Sequence, residues 1–332
     1  MLKQRNLIID TDPGIDDALA IMLVQASGVF DIRAITSVYG NSSLNNTSRN
    51  ALFLADLYDI DCKVAVGAQG PIIRSIPVDV ARNGKNGLAD IRYPQPKQNL
   101  HDRWAWELIY NTAIECEGEL ELLTLGPLTN IAIALLKYPS LKDMIKKIVV
   151  MGGTVSSGKT TISAMNNIRQ DPHAASVVFS AGFPNLVLVD LECCMGGYLT
   201  DSECDRMLIL KSKLGPVYEE LRKYQRKYQR EEIETNPALE PILKDKNIYC
   251  DLIAAAVAIN SDITDYKQYY VTCETQSEVN YGQTIVDWYG RLNQVSNVFL
   301  ARNIDRNLLS DMFFGSFDFY SEQNRNTDEG VK

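Results

Sequence analysis

Four carboxylates, Asp10, Asp12, Asp16 and Asp17, crowd the segment DTDPGIDD between the apolar run Leu7–Ile9 and the apolar stretch ALAIML. Helix capping accounts for one or two of them, since anions in a first turn gain about 0.3–1 kcal/mol from the helix dipole. It does not account for four. A hard divalent cation offsets the repulsion, and an all-oxygen ligand set selects calcium or magnesium over zinc. Calcium takes roughly six to eight oxygens in loose geometry, so carboxylates, a backbone carbonyl and the hydroxyls of a sugar diol can share its shell. A further acid, Asp251, opens the apolar segment DLIAAAVAI, where spacing alone allows either an N-cap or a ligand.

The elements that must position these groups follow from the hydrophobic pattern. Short β-branched runs alternate with longer amphipathic segments, which predicts an α/β fold with a mostly parallel sheet and helices on both faces. Strands are expected at Leu7–Asp10, Ile32–Val38, Lys63–Val66, Leu120–Leu125, Lys147–Met151, Leu186–Val189, Tyr270–Glu274 and Val298–Ala301. Helices are expected near Asp16–Gln25, Leu44–Leu57, Trp104–Glu115, Asn130–Leu136, Pro172–Ser180 and Asp251–Asn260. Ligands of such sheets sit outside the carboxyl ends of the strands. Chemistry is therefore to be sought in Asp10–Asp17, Tyr39–Asn41, Thr124–Thr129 and Met151–Gly153, each of which holds a glycine.

No Ser/Gly/Pro-rich linker or repeat divides the 332 residues, so a single large domain over residues 1–320 is expected, followed by a polar, flexible tail over 321–332. A formal charge of −9 argues against a nucleic-acid partner. The basic stretch from Lys211 to Arg230 is interrupted by Glu219 and Glu220 and reads as a solvated helix face. Seven scattered cysteines give neither a disulfide framework nor zinc-ligand spacing, which fits a reducing cytoplasm. The start of the chain lacks signal-peptide character, and no apolar run reaches the roughly 18 residues of a membrane span.

DTDPGIDDALAI closely resembles the opening motif of the inosine–uridine nucleoside hydrolase family, and the likeness continues in order through most of the chain. YGN at Tyr39–Asn41, VGAQGPI at Val66–Ile72, NGL at Asn86–Leu88, TLGPLTNIA at Thr124–Ala132, VVMGG at Val149–Gly153 and NIRQDPHAA at Asn167–Ala175 are similar to family blocks. The resemblance implies a nucleoside hydrolase fold and a calcium-dependent hydrolase of the N-glycosidic bond of ribosides, assembled as a homodimer or homotetramer. It implies that Asp12 is the general base for a calcium-bound water, with Asp10 supporting the loop from behind. Asp12, Asp17, Asp251 and the carbonyl of Thr124 resemble the calcium ligands. Asp16, Asn167, Met151 and Asp251 correspond to the ribose site, and Asn41 to a contact with water and substrate near the scissile bond. The chemistry calls for such a set, because carboxylates beneath the ring stabilise an oxocarbenium-like transition state.

The chain departs from the family pattern in places. Many members have His immediately before the late Asp, where a proton reaches the leaving base; here Cys250 stands there, as donor or as packing. The two histidines, His101 opening a helix and His173 following Asp171–Pro172, match no acid position. Tyr224 and Tyr228 read as surface tyrosines of a charged helix, with proton donation as the alternative. Near Asn83 the family often has His–Gly. The positions that commonly receive the ribose 5′-hydroxyl hold Lys159 and Met165. A lysine among hydroxyls and backbone amides suits a 5′-phosphate, although a solvated loop lysine and a core methionine are the simpler reading and carry more weight.

Two other classes compete. Asp10–Thr11–Asp12 meets the Asp-x-Asp requirement of haloacid-dehalogenase phosphatases, but Asp16 and Asp17 follow too soon for that pattern. A riboside-binding protein without turnover would keep the metal and the sugar contacts, yet it has no need of a base at Asp12.

Overall fold

The computed structural model describes residues 3–76, 81–156, 158, 160–209 and 214–329. Its centre is an eight-stranded sheet in the order β3-β2-β1-β4-β5-β6-β10-β7. The strands are β1 (Arg5–Thr11), β2 (Phe30–Ser37), β3 (Lys63–Val66), β4 (Leu120–Thr124), β5 (Ile145–Met151), β6 (Leu186–Val189), β7 (Asp265–Tyr269) and β10 (Val298–Arg302). All neighbours run parallel except β7, which pairs antiparallel with β10 at one edge. β8 (Val271–Cys273) and β9 (Thr284–Val286) form a separate antiparallel hairpin.

Alternation along the buried strands sorts their side chains between two cores. Leu7, Ile9, Leu123 and Val149 join the core that holds the helices Ile15–Ser27 and Cys250–Ile259, with the inner face of Arg306–Glu329. Ile8, Leu122, Ile148 and Val150 join the core beneath Ala105–Glu115, Thr129–Lys137 and Pro172–Ser180. Helices thus cover both faces, which is why the strands read as continuous apolar runs. The expected α/β class holds.

The strand order reverses beside β1, with β2 on one side and β4 on the other. A crevice opens at such a switch point, outside the carboxyl ends of the strands. Asp10 lies one residue before that end of β1, in register with Thr36 of β2 and Thr124 of β4.

Some expectations need correction. Tyr270–Glu274 supplies the hairpin strand β8 and not a strand of the main sheet. The missed edge strand β7, DYKQY, has mostly exposed or half-buried residues and no apolar alternation to mark it. His101 forms an isolated bridge with Ala65, and its helix begins later, at Ala105–Glu115. The last helix runs through Ser321 as far as Glu329, and residues 330–332 of the expected tail lie outside the described residues. Residues 211–213 of the basic stretch lie outside the described residues; residues 215–230 lie on the helix Gly215–Thr235, on which Tyr218, Leu221 and Arg222 are buried. No disulfide occurs among the described residues, and none of their helices is long and apolar enough to cross a membrane.

Candidate active site

The local fold of the acidic loop follows from its sequence. β1 ends at Thr11, Pro13 and Gly14 turn the chain, and the helix Ile15–Ser27 begins at once. Asp17 caps that helix, its Oδ2 accepting the Gly14 N–H at 2.9 Å. Its Oδ1 accepts the Thr11 hydroxyl. The helix is buried on nearly all sides, so Asp16 and Asp17 are carried into the interior, where both are buried. The helix Cys250–Ile259 packs against it and brings Asp251 to the same point.

Carboxylate oxygens of Asp16, Asp17 and Asp251 lie within 4.8 Å of one another. Burial, and then the negative charge of Asp16, pushes the Asp17 carboxyl up to about 6. Burial followed by the charges of Asp16, Asp17 and Asp12 holds Asp251 well above the carboxylate range. Its Oδ1 is buried without a hydrogen-bond partner. Such a set is unstable as bare anions and fits a hard divalent cation.

Asp12 stands beside this cluster and is tied to it through Asn41. The Asn41 backbone N–H donates to Asp12 Oδ2 at 2.7 Å, while its side-chain amide donates to the Asp12 carbonyl at 3.1 Å and to Asp17 Oδ2 at 3.0 Å. Asn83 fixes that amide by donating to Asn41 Oδ1 at 2.8 Å. Asp12 Oδ1 has no hydrogen-bond partner, although it is buried. Burial, followed by the charges of Asp17 and Asp16, raises its pKa strongly. A carboxylate so placed takes a proton readily.

Two glycines make room for it. A Cβ on Gly40 would fall 2.0 Å from Asp12 Oδ2, and one on Gly126 would fall 2.6 Å from Oδ1. Below it, Asp10 accepts the Thr36 hydroxyl at 2.6 Å and the Asn130 amide at 2.7 Å, so it anchors the loop to β2 and to the helix Thr129–Lys137. Burial still raises its pKa to about 7.

The residues that the resemblance gives to the sugar stand at neighbouring strand ends. Asn167 is buried with its amide donating to the carbonyls of Leu125 and of Met151, the latter at 3.2 Å. Met151 is buried at the end of β5. Thr124 is fully buried opposite Asp10, its hydroxyl donating to the Val149 carbonyl at 3.4 Å. Met165 is buried in the apolar core, as the simpler reading had it, and Lys159 lies outside the described residues.

Sequence reasoning passed over two residues. Arg82 pairs with Asp16 at 3.2 Å. Glu192 accepts the backbone N–H groups of Val155 and Ser156, both at 3.0 Å, and the hydroxyl of Thr154 at 2.7 Å. Burial works against its charge, but these donors outweigh it and hold the carboxyl below its usual range. Glu192 shares with Cys250 a cleft of about 540 Å³, whose charged lining residues among those described, Glu192 and Glu232, are both acidic. Neither residue carries a periodic or motif signal, and only a contact across the fold reveals them.

Cys250 is buried, and the Cys194 thiol approaches its carbonyl at 3.9 Å. Tyr224 donates to the Ala81 carbonyl at 3.0 Å and Tyr228 to Glu232 at 3.2 Å. Tyr228 lines a cleft with Asp16, Arg82 and Asn83, so it is not a mere surface residue. His173 faces Tyr281 at 3.4 Å. His101 lines a recess with Asp31 and Lys63 at the amino ends of β2 and β3, opposite the carboxylates.

Buried acids gathered at the carboxyl ends of parallel strands define the class, an α/β enzyme whose site suits a cation and a small polyhydroxyl substrate. The comparisons with known proteins are specific. The family model for inosine–uridine preferring nucleoside hydrolases matches residues 7–311, and the chain belongs to that family. It is 32% identical to uridine nucleosidase 1 of Arabidopsis thaliana over 86% of this chain and 82% of that one. It is 30% identical to a pyrimidine-specific ribonucleoside hydrolase of Escherichia coli over 95% and 99% of the two chains. A purine-preferring ribonucleoside hydrolase from Gardnerella vaginalis superposes with a TM-score of 0.87 at 28% identity, covering 96% of this chain and 99% of that one. The chain is accordingly a nucleoside hydrolase by family and fold, and the phosphatase reading of Asp10–Thr11–Asp12 is set aside.

Proposed function

We propose that this protein hydrolyses the N-glycosidic bond of ribonucleosides with Asp12 as the general base and calcium as the cation. The observation that carries the reading is Asp12 Oδ1, a buried carboxylate oxygen without a hydrogen-bond partner, beside three further acids.

Asp12 takes the proton of the attacking water, and its raised affinity for protons suits that role. Asn41 holds it at the required angle through the backbone contact at 2.7 Å. Asp17 and Asp251, with a further oxygen from Asp12 and the Thr124 carbonyl, would hold the cation. When bound, calcium would supply positive charge to the ribose diol and lower the pKa of the attacking water. Asp16 accepts from a ribose hydroxyl, with Asn167 and Met151 completing the floor of the sugar site. The acids beneath the ring stabilise the positive charge that develops on the sugar as the bond to the base lengthens. Cys250 lines the cleft that it shares with Glu192.

The competing reading, a riboside-binding module, differs in turnover alone. The test is a panel of purine and pyrimidine ribonucleosides assayed for reducing-sugar release with calcium and after chelation. Calcium-dependent release of free base is expected; saturable binding without release would contradict the proposal. We also propose cytoplasmic localisation and a homodimer or homotetramer, to be checked by fractionation and by light scattering.

A further inference from the structure

Breaking an N-glycosidic bond leaves the bonding electron pair on the base, and that charge must be met by a proton or by a cation. No imidazole serves here, since His101 sits at the other end of the strands and His173 faces Tyr281. Tyr228 gives its proton to Glu232 and Tyr249 gives its own to Gln225. Cys250 lines the cleft of Glu192 and not the one beside Asp16, where the candidate is a cation at the edge of the sugar site.

Arg82 occupies that position. Its Nη2 lies 3.2 Å from Asp16 Oδ2, with the Arg82 side chain 31% exposed, so it is neither locked in the core nor loose in solvent. Beyond this pair, Arg82 lines a cleft together with Asn83, Gln225, Tyr228 and Tyr249. With a ribose seated on Asp16, the space for the base is that cleft, walled by amides and aromatics and also lined by Glu232, which accepts the Tyr228 hydroxyl. The other cation lining it, Lys246, has its ammonium 5.1 Å from the centre of the Tyr198 ring.

We propose that Arg82 receives the base and supports its departure: the guanidinium donates to an acceptor atom on the base and offsets the negative charge left there. The proposal rests on the hydrolase reading above. Water oxygen bonds to C1′, the water proton passes to Asp12, and the C1′–N pair leaves with the base, which is protonated by solvent on release. A guanidinium cannot give up its proton at neutral pH, so its help is electrostatic and by hydrogen bonding. The substrates favoured are ribosides of bases with an acceptor next to the glycosidic nitrogen, such as a pyrimidine 2-carbonyl or a purine ring nitrogen. Asp16 acts as the anchor that sets the guanidinium at the boundary between sugar and base.

The test compares kcat/KM for inosine, uridine and p-nitrophenyl riboside in wild type, Arg82→Gln and Arg82→Lys, with calcium titration and calorimetric binding of hypoxanthine as further readouts. p-Nitrophenolate is a stable anion and needs no assistance. Arg82→Gln is expected to slow both nucleosides by about a hundredfold and the nitrophenyl riboside by no more than about threefold. Hypoxanthine binding weakens, calcium affinity holds, and Arg82→Lys restores part of the nucleoside rate. Equal losses on all three substrates, with altered calcium affinity, would make Arg82 a mere counter-ion of Asp16 and overturn the proposal. Unchanged nucleoside rates would overturn it as well. A wild-type protein inert toward all three substrates would instead remove the hydrolase reading, and the proposal with it.

Discussion

Asn41 reaches Asp12 twice, by its backbone N–H to the carboxylate at 2.7 Å and by its side-chain amide to the Asp12 carbonyl at 3.1 Å, and that same amide holds Asp17 at 3.0 Å. One residue thereby sets the spacing between Asp12 and the acidic cluster. Asn41→Ala removes the amide but keeps the backbone contact. Leaving buried partners unsatisfied costs about 1–3 kcal/mol. A fall in kcat of about ten- to a hundredfold is expected, with Asp12 still ionisable and activity still measurable. Steady-state kinetics with a thermal melt separate the two effects; wild-type kcat would show that Asn41 positions nothing.

Gly40→Ala tests the same geometry from the other side. Its Cβ would stand 2.0 Å from Asp12 Oδ2, a separation no side chain tolerates, so the carboxylate must move. Activity should drop at least as far as for Asn41→Ala, because misplacement of a reacting group by about 1 Å can cost a hundredfold. Full activity of a folded Gly40→Ala protein would mean that Asp12 is not held as described.

Burial raises Asp10 to about 7, and burial together with Asp16 raises Asp17 to about 6, both above their unfolded value of 3.8. The folded, metal-depleted protein therefore binds more protons than the unfolded chain across this window, and its stability falls as pH rises from about 4 towards 7. A cation on the cluster removes the penalty by favouring the ionised form. Calcium should raise Tm more at pH 7.5 than at pH 5, and its affinity should climb between them. Scanning calorimetry at the two pH values, with calcium and with chelator, decides it; a calcium effect independent of pH contradicts the assignment.

Cys250 lies in the wall of the cleft that it shares with Glu192, next to Cys194. Cys250→Ser should affect inosine and p-nitrophenyl riboside to within about threefold of each other, since a buried cysteine packs more than it donates. A loss confined to inosine would restore the thiol to a role in proton donation.

The parts of this site legible in the sequence are those that are contiguous. The block from Asp10 to Asp17 announces itself because acids crowd between a strand and a helix, and the strand ends at Asn41, Thr124 and Met151 follow from where parallel sheets bind ligands. Asp251 is legible only through the family likeness, because its closeness to Asp17 comes from the packing of one apolar helix on another. Arg82, in a turn, and Glu192, in the first turn of the short helix Leu191–Gly196, give no signal, each mattering for what it touches across the fold. The edge strand β7 escapes for a related reason. It has one covered side, and tertiary pairing with β10 settles a sequence that has little strand character of its own.

The central claim is that Asp12 activates water beside a calcium ion, and the direct measurement is kcat for inosine and for p-nitrophenyl riboside in Asp12→Asn against wild type, each with calcium and with chelator. An amide cannot take the water's proton and is a weaker ligand, so a loss of roughly a thousandfold or more on both substrates is expected, and chelation should abolish the wild-type rate. An Asp12→Asn protein that retains near wild-type kcat, or a wild-type rate indifferent to exhaustive chelation, would contradict the account.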